Sequence, residues 1–235
     1  MTMRLHNFFI QQKLKDVREG EILVADPEKI HQWLRVFRFG PGDQIVLLDD
    51  SGFEFTCKFI AITPGGATLQ MVEARENLKT PTQEVFLFQS LIKSDKFEWV
   101  LQKGTELGVS RFMPILADHS EKKNLNIERC KKIITEASEQ CGRGRLPHFY
   151  EVMKLEEAFG QYDAKAVVFH PDAPRFNKTD FVGERRLAVF IGPEGGWSDR
   201  EMDLFKNKNV PVYSFGSLVL RSETAALAIS SLILL

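Results

Sequence analysis

The hydrophobic period of this chain changes once, across residues 73–83, and a sequence that does so is not built as one uniform layer of structure. Before the change, Glu21–Ala25, Asp43–Leu48, Phe53–Ile62 and Ala67–Val72 are short β-rich runs. They are separated by Asp49-Asp50-Ser51-Gly52 and Pro64-Gly65-Gly66, where glycine supplies positive φ and Asp side chains bond the following backbone. A β-meander forming a small barrel is expected, with His31–Phe37 as a short helix beneath it. Residues 73–83 are polar and strand-poor, as a linker would be. Beyond them, Val85–Leu91, Phe112–Leu116, Ala166–Phe169, Leu187–Ile191 and Val210–Phe215 read as strands. Lys96–Leu107 places Phe97, Val100, Leu101, Gly104 and Leu107 on one helical face, and Ile127–Cys141 does so with Cys130, Ile133, Ile134 and Ala137. Gly108 and Gly142 stand where helices commonly stop. Strands alternating with helices predict an α/β domain with a mostly parallel sheet. The expected organisation is a β-barrel over residues 1–73, a linker over 74–83 and the α/β domain over 84–235.

At 235 residues and 43% hydrophobic content, the chain can bury a core in each part. Lys and Arg number 31 against 32 Asp and Glu, which excludes a polycation held to nucleic acid by bulk charge. Contacts to nucleic acid must come from local patches, and residues 93–150 carry 11 basic against 8 acidic groups. Cys57, Cys130 and Cys141 form no CxxC and the five histidines no HxxxH, so neither a disulfide framework nor a metal site is expected. The N-terminus lacks the apolar core of a signal peptide, and no run of about 18 apolar residues occurs, so a cytoplasmic location without membrane spanning is expected.

Three C-terminal strands end in loops of unusual composition: Phe169-His170-Pro171, Ile191-Gly192-Pro193-Glu194-Gly195-Gly196 and Phe215-Gly216-Ser217-Leu218-Val219-Leu220-Arg221. In a parallel sheet these ends share one edge, where ligands bind. The central loop has neither GxGxxG spacing nor a GK[ST] ending, and Glu194 would repel phosphate. Its glycines instead let main chain approach an uncharged or flat ligand, and a branched side chain at Gly195 or Gly216 should obstruct it. Ser198, with Asp199 and Glu201 after it, reads as a helix start. Arg221 lies beside the N-terminus of a final apolar helix, Ser222–Leu235, an unfavourable place for a cation. That fits either an ion pair with Glu223 or Glu194 or an external partner. Residues Gln140–Leu146 read either as a flexible cationic loop or as a capped helix end with solvated arginines.

The pair Gly192-Pro193-Glu194-Gly195-Gly196-Trp197-Ser198 and Leu220-Arg221-Ser222-Glu223-Thr224-Ala225 resembles the RsmE family of SPOUT-class methyltransferases. So do Val36-Phe37-Arg38 with Gly42-Asp43, Lys103-Gly104-Thr105-Glu106-Leu107-Gly108-Val109 and Glu136-Ala137-Ser138-Glu139-Gln140-Cys141-Gly142-Arg143, so the likeness spans nearly the whole chain. It implies a PUA-like barrel followed by an α/β domain with a C-terminal trefoil knot, a homodimer, and methylation of uridine N3 in small-subunit ribosomal RNA, naked or assembled. It also implies S-adenosylmethionine held by the three loops, through Phe169, His170, Pro171, Ile191 to Gly196, Phe215, Gly216, Leu218, Val219, Leu220 and Thr224. Two positions depart from the family pattern: Leu218 stands where a basic residue is usual, and Gly104 replaces a commoner Ala, a change expected to matter little.

Methylating a uracil imide requires loss of the N3 proton and stabilisation of charge on the flanking oxygens. The candidates rank Arg221 as cation, then Glu223 and Glu194, with His170 an alternative base. RNA capture is expected from the barrel and from Lys93, Lys96, Lys103, Lys122, Lys123, Arg143 and Arg145. A non-catalytic RNA-binding protein with a vestigial cofactor pocket and a nucleotide-dependent enzyme are the competing classes. Binding of S-adenosylmethionine or of ATP separates them.

Overall fold

Asp49 illustrates how turn chemistry organises the first part of the chain. Its buried carboxylate accepts from the main-chain N–H of Ser51 at 3.0 Å and of Leu14 at 2.9 Å, which fixes the turn before Gly52, at φ 85°. The computed structural model describes residues 5–14, 20–79, 81–181 and 183–235. Thr80 of the expected linker, and residues 1–4 and 15–19 of the expected barrel, lie outside the described residues. Contacts divide the chain into two units, the first comprising the residues up to 80 with Ser138–Arg145, the second Pro81–Ala137 with Leu146–Leu235.

The first unit holds β1 (Asn7–Phe9), β2 (Glu21–Val24), α1 (Pro27–His31) running into a π-helical turn (Gln32–Phe37), β3 (Gln44–Leu48), β4 (Phe53–Thr63) and β5 (Gly66–Glu76). The sheet order is β1-β3-β4-β5-β2, antiparallel except for β1 on β3. Two register shifts between β4 and β5 bend this long ribbon around a core of Trp33, Phe8, Phe55, Phe59 and Leu69. The expected meander is present, but β5 continues to Glu76, inside the expected linker, because Phe53–Thr56 of β4 offer it partners. Strand β1 was not legible. Glu139 holds it, accepting from Phe9 N at 2.8 Å through Oε1 and from Asn7 Nδ2 at 2.8 Å through its main-chain oxygen.

The second unit comprises β6 (Glu84–Ser90), α2 (Ser94–Leu107), β7 (Arg111–Leu116), α3 (Ile127–Cys141, whose residues from Ser138 on belong to the first unit), β8 (His148–Phe149), β9 (Met153–Lys154), α4 (Leu155–Ala158), β10 (Lys165–Phe169), β11 (Arg186–Ile191), α5 (Asp199–Asn207), β12 (Val212–Tyr213) and α6 (Ser222–Leu234). Its sheet, in the order β12-β10-β11-β6-β7-β8, is parallel throughout, with β9 also on β7. Alternate residues bury two faces. Val85, Leu87, Val189 and Ile191 meet α2 and α6, while Phe86, Phe88, Ala188 and Phe190 meet α4 and α5. The expected strand Val210–Phe215 shrinks to two residues, since Pro211 has no N–H to give a ladder and Ser214 bridges Arg175 instead.

Gly104 corrects the expectation that its departure matters little. On α2 it faces the Phe112 ring, and an added Cβ would meet Cε1 at 2.9 Å and Cζ at 3.0 Å. The helix propensity gained by alanine, about 1 kcal/mol, competes with overpacking of about 1–3 kcal/mol against a fully buried ring. Gly104→Ala should therefore lower the melting temperature by about 2–4 °C. In a Phe112→Leu background the same substitution should raise it, a sign reversal that thermal denaturation of the four proteins will reveal.

Candidate active site

Parallel pairing brings the C-terminal ends of β10, β11 and β12 together, and the loops leaving them enclose a cavity of about 280 Å³. Phe169, His170 and Pro171 line it from β10, and Ile191, Gly192, Pro193, Glu194 and Gly196 from β11. Ser214, Phe215, Leu218, Val219, Leu220 and Arg221 line it from the last loop. Three residues expected there do not line it: Gly195, Gly216 and Thr224. An added Cβ at Gly195 would meet His119 Cβ at 3.0 Å, so protein packing rather than a ligand demands glycine there. At Gly216 the demand is the backbone, at φ 112°, and Thr224 points out to solvent.

Trp197, Ser214, Ser222 and Ala225 line the cavity without having been singled out as site residues. Trp197 donates from Nε1 to Phe169 O at 3.2 Å and packs edge-on to Phe205 at 5.0 Å, tying the β11 loop to the end of β10. Gln89, buried at the end of β6, donates to Ser222 Oγ at 2.8 Å, and Ser222 Oγ donates to Gly192 O at 2.6 Å. The motifs already contained Trp197 and Ser222; Gln89 carried no local signal.

The charged candidates separate. Arg221 is exposed on the cavity wall as N-cap of α6, and neither Glu223 nor Glu194 pairs with it. Glu194 also lines the wall, whereas Glu223 is buried away from it, with Lys96 Nζ 4.0 Å from its Oε1. His170 Nδ1 accepts from Asp172 N at 3.3 Å, which leaves the neutral ring's hydrogen on Nε2 and counts against a role as base. Of the RNA candidates, Lys93, Lys122 and Lys123 are exposed, and Lys103 lies 2.7 Å from Glu106 and over Trp99. Arg143 corrects the cationic-loop expectation: it is only 6% exposed, burial pulls its guanidinium pKa down, and Nε donates to Arg145 O at 2.8 Å. Gly144 packs on Asn77 and leaves no slack in this turn, while Arg145 remains exposed over Gly52.

The RNA methyltransferase domain model matches residues 79–234, and the RNA methyltransferase PUA domain model matches residues 34–72. The chain belongs to the RNA methyltransferase domain family. A relative from Bacillus subtilis named ribosomal RNA small subunit methyltransferase E is 29% identical over 95% of this chain and 93% of its own length. A Synechocystis protein of the same name is 30% identical over 84% of this chain and 67% of its own. Among solved structures, a Legionella pneumophila protein in complex with the bound cofactor SAM is 25% identical with a TM-score of 0.89, covering 98% of this chain and 97% of that one. A Neisseria gonorrhoeae ribosomal RNA small subunit methyltransferase E bound to S-adenosyl methionine, 22% identical, shares the fold with a TM-score of 0.88 over 98% and 97% of the two chains.

In this member of the RNA methyltransferase domain family the cavity residues suit an organic ligand with a large apolar surface. The walls are mostly main chain and apolar side chains, with His170, Glu194, Ser214, Arg221 and Ser222 as the polar side chains. Burial pushes the Cys57 thiol up to about 12 and the Cys130 thiol to about 11, so neither is a nucleophile at neutral pH. Among the described residues no group of three or more His, Cys, Asp or Glu is placed to hold a metal ion, and no helix is long and apolar enough to cross a membrane.

The start of α5 fixes the glycine loop. Glu201, fully buried, accepts from Ser198 N at 2.9 Å and from Asp118 N at 3.0 Å, while Ser198 Oγ accepts from Glu201 N at 3.2 Å. Arg200 bonds the Asp118 carboxylate and Glu156, which holds both carboxyls below their usual range. Glu201→Gln replaces one acceptor oxygen with a donor facing an N–H, and should cost about 1–3 kcal/mol. Ser198→Ala removes the cap and should cost about 1 kcal/mol. Chemical denaturation checks both the sizes and their order.

Proposed function

We propose that this protein is an S-adenosylmethionine-dependent methyltransferase acting on small-subunit ribosomal RNA, at N3 of a uridine. The observation that carries the reading is the cavity itself: three strand-end loops, a wall that includes Gly192, Pro193, Glu194 and Gly196, and Arg221 on the rim with no carboxylate partner among the described residues. When bound, S-adenosylmethionine supplies an electrophilic methyl group. The main chain of the β11 loop and the apolar side chains of Phe215, Leu218, Val219 and Leu220 would hold it, and Glu194 would face its positive charge. Arg221 would stabilise the negative charge that grows on a uracil oxygen as the N3 proton leaves. Glu194 now precedes Glu223 as proton acceptor, because only Glu194 lines the cavity. Glu223, beside Lys96, would act on the helix N-terminus that carries Arg221. N3 lies on the Watson–Crick edge, so the uridine must be unpaired or extruded before transfer.

The rest of the reading follows the family resemblance. The proposed domains are a PUA-like barrel over residues 1–73, a linker over 74–83 and a SPOUT-type domain over 84–235. A trefoil knot is supported by the path of the C-terminal segment, which leaves edge strand β12, passes the β11 loop at the Ser222–Gly192 bond and packs α6 on α2 and β6. A homodimer is supported by Leu232 and Leu235, 48% and 82% exposed at the end of α6. RNA, naked or assembled in the subunit, would be met by Lys93, Lys96, Lys103 and Arg145, and the setting would be cytoplasmic. Light scattering should report two chains at micromolar concentration; a fully active monomer would refute the dimer.

Ribosomal RNA from a deletion strain should lack one methylated uridine, seen by mass spectrometry and restored by the wild-type gene. Arg221→Ala should reduce the single-turnover methylation rate by about 100-fold or more, the scale of losing one such donor, with cofactor affinity little changed. Normal RNA methylation in the deletion strain would overturn the reading.

A further inference from the structure

The loop after β7 carries Asp118 and His119, neither of which lines the cavity. His119 Nδ1 nevertheless lies 3.1 Å from Gly195 O and 3.1 Å from Gly196 O. Carbonyl oxygens only accept, so Nδ1 carries the hydrogen and shares it between them. The approach is close, because a Cβ on Gly195 would come within 3.0 Å of His119 Cβ. The histidine is itself fixed from the preceding residue. Asp118 N donates to Glu201 Oε1 at 3.0 Å, and the Asp118 carboxylate accepts from Ser198 Oγ at 2.5 Å and from Arg200 Nη2 at 2.7 Å. The two sides of the GPEGGWS motif are therefore tied to consecutive residues of one loop, Gly195 and Gly196 to His119, Ser198 to Asp118.

We infer that His119 is a positioning residue for the cavity. It holds the Gly195 and Gly196 carbonyls against its ring, and so fixes which face of the Gly192–Gly196 main chain is left for a ligand. The effect on the loop stands on geometry alone; the effect on S-adenosylmethionine rests on the function proposed above.

The test uses the full chain as wild type, His119→Ala and His119→Asn. Asparagine places an N–H donor on the same atom of the side chain, Cγ, that bears Nδ1 in histidine. The first readout is amide hydrogen exchange without ligand at residues 192–198, including Gly196 N–H, which donates to Pro193 O at 3.0 Å. The second is calorimetric titration with S-adenosylmethionine. His119→Ala should speed exchange in this loop and weaken cofactor binding by about 3- to 10-fold, the scale of one hydrogen bond, and His119→Asn should restore both to within about 2-fold. Unchanged loop exchange in His119→Ala overturns the inference. So does an equal rise across β11 and α5 that asparagine fails to reverse, since that is loss of stability and not of positioning. A wild type that fails to bind S-adenosylmethionine, with exchange responding as expected, upholds the inference and overturns the proposed function.

Discussion

Strand β11 pairs in parallel with β10 on one side and β6 on the other, and the cavity depends on this double pairing. Register matters because side chains alternate faces, so a slip of one residue would exchange the Val189 and Ile191 face for the Phe190 face. The Phe88 and Phe190 rings, stacked at 4.4 Å, reinforce that register from within the core. A fully buried phenylalanine contributes about 1.5–3 kcal/mol, so this packing holds β11, and with it the start of the glycine loop, in place. Gly192 begins that loop directly after β11, where an added Cβ would meet the Trp197 indole at 3.1 Å. The glycine thus serves the indole bond to Phe169 O before it serves any ligand.

From β6 the constraint passes to the final helix through Gln89, Ser222 and Gly192. The hydroxyl of Ser222 accepts from one and donates to the other, which uses both of its roles in a site that is nearly dry. Arg221 is the adjacent residue, so the bond that closes the cavity also places the cation on its rim. Lys96 reaches Glu223 from α2, a helix whose buried face packs against α6. A change at Gln89, Lys96 or Glu223, none of which lines the cavity, is therefore felt at the N-terminus of α6.

What the sequence revealed follows the range of the interactions. Turn residues, helix stops and apolar periodicity are local, and Ile127–Cys141, the Gly108 and Gly142 stops and the strand-end loops were legible from them. Strand β1 was hidden because three residues have no period to read and their partners, Leu48 and Glu139, are distant. The meaning of Gly104 was hidden for a similar reason, as it depends on a Phe112 ring on the next strand. At the candidate site the motifs identified most wall residues. They missed the supporting Asp118, His119 and Gln89, whose side chains resemble ordinary polar surface until the fold brings them to the loop.

Three arginines show why placement, and not count, decides electrostatic roles in a chain of net charge −1. Arg200 is exposed but committed to Asp118 and Glu156, and those bonds raise its pKa further. Arg143 sits in a buried turn where desolvation disfavours its charge, so its hydrogen bonds hold the protein and leave little for phosphate. Arg221 has neither kind of support, and it stands at a helix N-terminus, where the dipole opposes a cation by about 0.3–1 kcal/mol. A cation kept there, with no carboxylate partner among the described residues, gains nothing for the fold. Negative charge developing on a substrate oxygen in the cavity would find Arg221 exposed on the wall and, among the described residues, without a carboxylate partner, so its fixed charge is available there.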